Sequence, residues 1–247
     1  MKLYLIRHAE SANNAVYGTD NQHASHSPDP EITDPGHRQG QCLGQHFAMT
    51  DTEPRQHPDE KSTDIQYGLT HLYCSLMSRS LLTAQYIAEA CGLKMVARPD
   101  IFEYQGIYEI DNNGNQVGVE GPGRRYFEKR FPDVQLPEEL SEKGWWNRPV
   151  ESQTQFLARV ENSLDHIQAL HGNTDHHVAM VVHGDYIDQC INHIMGVERI
   201  AENYKTPWVA NWVFHNTSIS RIDIINGSRN VVYLNRIDHL PPDLVTW

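Results

Sequence analysis

Basic charge, cysteine and long apolar runs are all scarce in this 247-residue chain. Lys and Arg number 20 against 32 Asp and Glu, a net charge of −12 with His neutral. That balance excludes a general nucleic-acid or anionic-membrane surface, because both require a basic face. A small anion can still be held, in a pocket whose local cations override the acidic field. The four cysteines, Cys42, Cys74, Cys91 and Cys190, have no C-x-x-C spacing, which points to reduced thiols and away from a disulfide framework. No run reaches the roughly 20 apolar residues of a membrane span, and the first residues read as a strand where a signal peptide would carry an apolar block. A soluble, cytoplasmic chain is expected. Internal repeats and low-complexity tracts are also missing.

What is there is an alternation of strand-like and helix-like segments. Residues 2–6 form a short apolar run, followed by a polar loop over 11–32 that is long for a plain connection and favours a binding or lid role. Thr33 reads as the N-cap of a helix to about residue 49, with Pro35 in its first turn, and 51–68 reads as a polar loop. A strand over 69–74 leads into a helix ending at Cys91, closed by Gly92 as a C′ residue. A short strand at 94–97 precedes an irregular insert at about 107–151, which holds Arg124, Arg125, Lys129 and Arg130 and the pair Trp145-Trp146. Phe156, Val160, Leu164, Ile167 and Leu170 recur at helical spacing and predict an amphipathic helix over 152–171. A strand over 178–182, a helix over 186–195 and a hairpin turned by Asn226-Gly227 complete the pattern. The expected fold is one α/β domain over 1–247, a three-layer α/β/α sandwich whose central sheet is mostly parallel, with helices on both faces.

Arg7-His8 stands where the first strand ends. In an open parallel sheet that carboxyl edge is where ligands bind, and a cation beside a nucleophile there suggests chemistry on an anion. One Arg-His pair among 15 His carries little weight. The second strand-terminal histidine, His183 followed by Gly184 and Asp185, carries more. The pairs His23/His26 and His176/His177 have no carboxylate or Cys partner at ligand spacing, so no metal and no organic cofactor are expected.

The segment Leu3-Tyr4-Leu5-Ile6-Arg7-His8-Ala9-Glu10-Ser11 resembles the signature of the histidine phosphatase superfamily, the phosphoglycerate mutase-like fold. Further matches follow in the family's order. They are S-x-x-x-R-x-x-x-T-A from Ser75 through Arg79 to Thr83-Ala84, E-x-x-G at Glu103 and Gly106, and H-G at His183-Gly184. Ile32-Thr33 with Gly36, Glu151-Ser152 with Arg159, and Asn216-Thr217-Ser218-Ile219 are similar to family landmarks. The resemblance implies that His8 accepts a phosphoryl group as phosphohistidine and that Arg7 and Arg79 clamp the phosphate. It further implies that His183 donates a hydrogen bond to the phosphate and that Glu103 protonates the leaving alkoxide, with Glu109 as rival. Ser11, Asn14 and Gly184 would contact the phosphate. The chemistry suits these residue types. Phosphoryl transfer spreads charge over three oxygens, Arg offers a fixed fork of donors to them, and nearby cations favour the neutral, nucleophilic imidazole.

The chain departs from the family pattern at Leu76 and Met77 (usually Pro-Leu), at Ser80 (usually Ala) and at Asp185 (usually Gly). Mutases of the family carry a Trp where Asn13 stands. Hydrolysis of a small-molecule phosphomonoester is therefore expected over a mutase reaction, and the intact charged set argues against a non-catalytic binding module. The insert is expected to face the substrate, because fold and phosphate pocket are shared across many substrates. Arg124 to Arg130 read equally as substrate contacts or as a solvated helix face, and homo-oligomerisation is open.

Overall fold

The computed structural model describes residues 1–20, 26–49, 67–197 and 212–247, so most of the expected polar loop at 51–68 and five residues of the first loop, His23 among them, lie outside the description. The described strands are β1 (Lys2–Arg7), β2 (His71–Ser75), β3 (Met95–Arg98), β4 (Tyr108–Ile110), β5 (Gln116–Gly118), β6 (Val134–Gln135), β7 (His177–Val182), β8 (Ile219–Ile225) and β9 (Ser228–Arg236). The helices are α1 (Ala12–Val16), α2 (Asp34–Ala48), α3 (Ser78–Cys91), α4 (Arg124–Arg130), α5 (Gln153–His171) and α6 (Gly184–Ile194). Seven strands form one sheet in the order β6-β3-β2-β7-β1-β8-β9, and β4 and β5 make a separate hairpin. From β6 to β1 every pairing is parallel; β8 and β9 add an antiparallel edge.

The central strands are apolar on both faces because both faces are covered. Leu3 and Leu5 of β1, with Val178, Met180 and Val182 of β7, pack against Phe156, Val160 and Ile167 of α5 and Ile187 and Ile191 of α6. Tyr4 and Ile6, with Ala179 and Val181, pack on the other side with Leu43 and Phe47 of α2 and Leu81 and Ile87 of α3. The alternation along one strand thus divides into two cores, and each fully buried aliphatic or aromatic side chain contributes about 1.5–3 kcal/mol to holding the layers together.

Helix ends follow the sequence signals. Thr33 caps α2 through Gly36 N–H, Ser152 and Gln155 form a capping box on α5, and Gly92 ends α3 in the left-handed region at φ 65°. Three expectations need correction. The first loop contains α1, a five-residue helix held by a capping box between Ser11 and Asn14; it buries nothing and so has no apolar period to read. Helix α6 begins at Gly184, directly after His183, and not at 186. The insert is partly regular: it holds the β4–β5 hairpin, α4, and the two-residue β6 that extends the main sheet beside β3.

Two glycines hold the loops of the carboxyl edge. A Cβ at Gly36 would lie 2.3 Å from Glu10 O, so the start of α2 rests directly on the chain leaving β1. At Gly106 φ is +79°, and a Cβ would lie 2.2 Å from the ring of Trp146, itself buried. Gly114 shares the positive φ, at +82°, with nothing within 4 Å. Gly114→Ala should therefore cost only about 1–2 kcal/mol of backbone strain, whereas Gly106→Ala adds an overpacking penalty of about 1–3 kcal/mol. Urea unfolding midpoints at constant m compare the two, and equal losses would contradict the packing account.

Candidate active site

Arg7, His8, Ser75, Arg79, Glu103 and His183 all lie at the carboxyl ends of adjacent strands or in the segments that follow them. β1 pairs with β7 in a register that sets Arg7 opposite Val182, and His8 N–H continues that ladder to Val182 O at 2.9 Å. His8 and His183 therefore leave neighbouring strand ends, with ring centroids 5.2 Å apart. Both are buried.

The His8 ring has one defined tautomer. Its Nδ1 lies 2.7 Å from Ala9 O, and a carbonyl only accepts, so Nδ1 carries the proton and Nε2 carries the lone pair. Arg79 Nε donates to that Nε2 at 3.1 Å. Burial first, then the charges of Arg79 and Arg7, hold His8 well below the ordinary histidine value. The imidazole is thus neutral, and its lone-pair nitrogen sits under a guanidinium.

Arg7 is fixed by Nη1 donating to Phe214 O at 2.5 Å, and its Nε is buried with no hydrogen-bond partner. Gly184 lies against it: a Cβ there would point toward Arg7 Nε at 3.5 Å and Glu103 Oε2 at 3.9 Å. Gly184 is thus tolerated in its backbone but keeps the space between the two groups open. Arg79 lies 3.9 Å from Asp29. Asp29 accepts from Ser78 N–H at 2.9 Å and from its hydroxyl at 2.7 Å, capping α3, whose N-cap Met77 has no side chain to do so. Burial pushes the Asp29 carboxyl up, against the opposing pull of Arg79. Asp29 carried no sequence signal beyond its place between Pro28 and Pro30.

Ser75 explains the orientation of His183. Its hydroxyl lies 2.7 Å from His183 Nε2 and accepts from Met77 N–H at 3.3 Å, which leaves its own proton available to Nε2. In the tautomer that takes that proton, the ring proton sits on Nδ1, which is buried with no hydrogen-bond partner. Burial and the surrounding Arg79 and His8 hold His183 well below the ordinary value. It is a neutral donor, held ready for an acceptor.

Glu103 accepts N–H donors from Tyr104 at 2.9 Å, Tyr186 at 3.1 Å and Asp185 at 3.3 Å. The last two open α6, so the carboxylate occupies the positive end of that helix. Its loop is held by Arg159, which pairs with both oxygens of Glu151 at 2.7 Å and donates to Asp100 O and Phe102 O at 3.0 Å. The rival Glu109 is exposed on β4.

Asn14 Oδ1 takes donors from Ser11 N–H at 3.1 Å, Ser11 Oγ at 2.9 Å and Asn216 Nδ2 at 3.2 Å. Only its amide nitrogen is left to face an anion. Ser11 is buried and spent on this cap, so it orients Asn14. Asn216, matched in the sequence without a role, also donates to His8 O at 3.1 Å and accepts from Thr246 Oγ1 at 3.0 Å.

At the mouth, His26 stacks on Tyr108 with centroids 4.8 Å apart, and Asp185 is exposed at the start of α6. Asn13 is occupied at both amide ends by the backbone of Ser27, at 2.9 and 3.0 Å. The basic cluster divides: Arg124 donates to Leu140 O at 3.0 Å and to Pro137 O at 2.5 Å within the insert, Arg130 pairs with Glu31 at 2.5 Å, and Arg125 and Lys129 are exposed. Among the described residues, the groups with metal-ligand spacing do not include His8, His183, Glu103 or Asp29.

Known proteins share this architecture. A phosphoserine phosphatase from Entamoeba histolytica, solved with 3-phosphoglyceric acid, superposes with a TM-score of 0.56 at 18% identity, covering 97% of this chain and 99% of that one. An alpha-ribazole phosphatase from Shigella flexneri gives 0.55 at 19% identity and 96% of both chains. In sequence, a probable phosphoglycerate mutase from Erwinia tasmaniensis is 25% identical over 224 residues, which is 90% of this chain and 85% of the relative. Residues 61–237 match the histidine phosphatase superfamily (branch 1), a span that begins after the His8 loop. With that match over most of its length and His183, Arg79 and Glu103 inside it, the chain belongs to the histidine phosphatase superfamily.

Proposed function

We propose that the protein hydrolyses a small phosphomonoester through a phosphohistidine on His8. The observation that carries this reading is the His8 tautomer. A proton locked on Nδ1 by Ala9 O leaves an Nε2 lone pair directed to where Arg79 and Arg7 converge. A phosphate placed there would take the Arg79 Nε–H from His8, the unpartnered Arg7 Nε–H and His183 Nδ1–H, and the Asn14 amide. These donors match the three oxygens on which charge accumulates. Attack by Nε2 forms the N–P bond as the ester oxygen leaves. Water then attacks phosphorus, giving its proton to the Glu103 carboxylate left by the first step; the O–P bond forms as the N–P bond breaks, releasing phosphate and regenerating the imidazole.

Glu103 is the acid for the leaving oxygen. Its present neighbours are all donors, which suits a carboxylate, so the proton it passes on would come with the substrate's own ionisation. Three carboxylates stand near the phosphate position, Glu103, Asp29 and Asp185. A second carboxylate on the substrate next to the phosphate would meet Asp185, which favours neutral or amine-bearing leaving groups. Phosphatase names among the structural neighbours support hydrolysis; the name of the Erwinia relative supports a mutase. A steady-state assay separates them, and isomerisation of 3-phosphoglycerate far exceeding phosphate release would overturn hydrolysis.

Rapid quench of wild type should trap acid-labile phosphate on the protein, and His8→Ala should abolish it together with turnover. Surviving turnover would remove His8 as the nucleophile. Glu103→Gln, which keeps a side chain able to cap α6, should slow alkyl phosphates by about 10²–10⁴-fold and aryl phosphates with good leaving groups far less. An equal loss on both would move the acid elsewhere.

The pH dependence follows from the electrostatics. His8 reacts when neutral, and its lowered value keeps it neutral into mildly acidic solution, so protonation limits the rate only well below pH 6.5. Arg79 is the second cause of that lowering; in Arg79→Met the His8 value rises and the acid limb of kcat/KM should move to higher pH. Using one substrate for both proteins cancels the phosphate's own ionisation near pH 6. An unmoved limb would contradict the assignment.

A further inference from the structure

The opposite edge of the sheet carries a second cluster that hydrolysis does not use. His71 opens β2, His176 immediately precedes β7, and His171 ends α5. Parallel pairing of β2 with β7, with His71 opposite Val178, brings these distant stretches together. One ring nitrogen from each lies within 4.8 Å of the others. The His71 ring is tilted against the other two, with centroids 4.3 Å from His176 and 4.5 Å from His171, and His171 and His176 meet edge-on at 5.1 Å. His171 Nδ1 and His176 Nδ1 face each other at 2.9 Å.

We propose that His71, His171 and His176 bind a borderline divalent transition metal, Zn²⁺ or a metal of similar preference, through three imidazole nitrogens.

The two facing nitrogens are joined by an N–H···N hydrogen bond, whose single proton a bound ion would displace, turning both nitrogens into ligands. A tetrahedral ion with metal–nitrogen bonds of about 2.0–2.1 Å sets its ligand atoms about 3.3 Å apart. The three nitrogens lie within 4.8 Å of one another, so binding would draw them together by about an ångström or more. Two of the three far-side nitrogens, on His171 and His71, are already held by hydrogen bonds of the kind that orient metal ligands. Tyr73 Oη lies 2.9 Å from His171 Nε2, and Thr70 Oγ1 lies 2.8 Å from His71 Nδ1 while bonding the backbone of His177.

Arg98, the nearest cation, is neutralised by both oxygens of Asp100 at 2.9 and 2.5 Å. A ligand set with imidazole and no carboxylate suits Zn²⁺, Co²⁺, Ni²⁺ or Cu²⁺ and excludes Ca²⁺ and Mg²⁺, which need oxygen ligands. His71 and His176 are half-buried and His171 is buried, so the fourth position faces water. The ion would tie the end of α5 to the starts of β2 and β7.

The test uses the full chain freed of metal by a chelator and titrated with Co²⁺, followed by equilibrium dialysis with Zn²⁺. One equivalent should bind, with the intense visible absorption of four-coordinate Co²⁺, and excess Zn²⁺ should raise Tm by about 5–10 °C at a hundredfold excess over Kd. His71→Gln and His176→Gln, at half-exposed positions, should each weaken binding by at least about tenfold, whereas exposed His166→Gln should bind as wild type does. Failure of wild type to bind, a six-coordinate spectrum, unchanged binding in both cluster variants, or loss of the equivalent in His8→Ala would each overturn the proposal.

Discussion

The parallel pairing of β1 with β7 is the constraint on which the site depends. It fixes His8 beside His183 by backbone hydrogen bonds alone, before any side chain has made a choice. β2, on the far side of β7, sets Cys74 opposite Val181, so Ser75 arrives at His183 and Arg79 follows as the second residue of α3. A one-residue slip in either ladder would exchange the two faces of the strand and turn the apolar positions of one core into the other. Because both faces are buried, such a slip has no cheap alternative packing, and the registry of the catalytic groups inherits the rigidity of the cores.

Much of this was legible in the sequence, for identifiable reasons. The strand ends at Arg7 and His183, the caps at Thr33 and Ser152, and the stripe of α5 are local patterns with a period, and they lie where expected. The supporting residues were not legible. Asp29, Asn216 and the role of Ser75 depend on contacts between distant segments, with ordinary loop or turn chemistry in each. Helix α1 and strand β6 are too short to show a period. The His71–His171–His176 cluster is the clearest case: His176 and His177 were visible as a pair and lacked partners at ligand spacing, because the partners come from a different strand and a helix end.

The site also shows how an acidic protein concentrates positive charge. Arg7 and Arg79 do not form a diffuse basic surface; Arg79 is buried and Arg7 half-buried, and each is aimed and partly balanced by a carboxylate or carbonyl. Asp29 lies beside Arg79 and caps α3 with the same carboxylate, so one loop residue sets both a helix start and a buried cation. Glu103 likewise accepts from the first N–H groups of α6. The two helices thus begin on carboxylates, and the net field is shaped by placement more than by charge count.

Asn216 reaches back 208 positions to the carbonyl of His8, and through Thr246 it is joined to Gln39 and, by way of Gln39, to the backbone of Glu10. On a ribosome, β1 is made long before its two sheet neighbours, β7 and β8. An apolar strand that emerges ahead of both partners must wait for roughly 170 further residues before either of its edges is paired. A segment synthesised early is thus among the last to be seated, and its backbone stays unpaired during that interval.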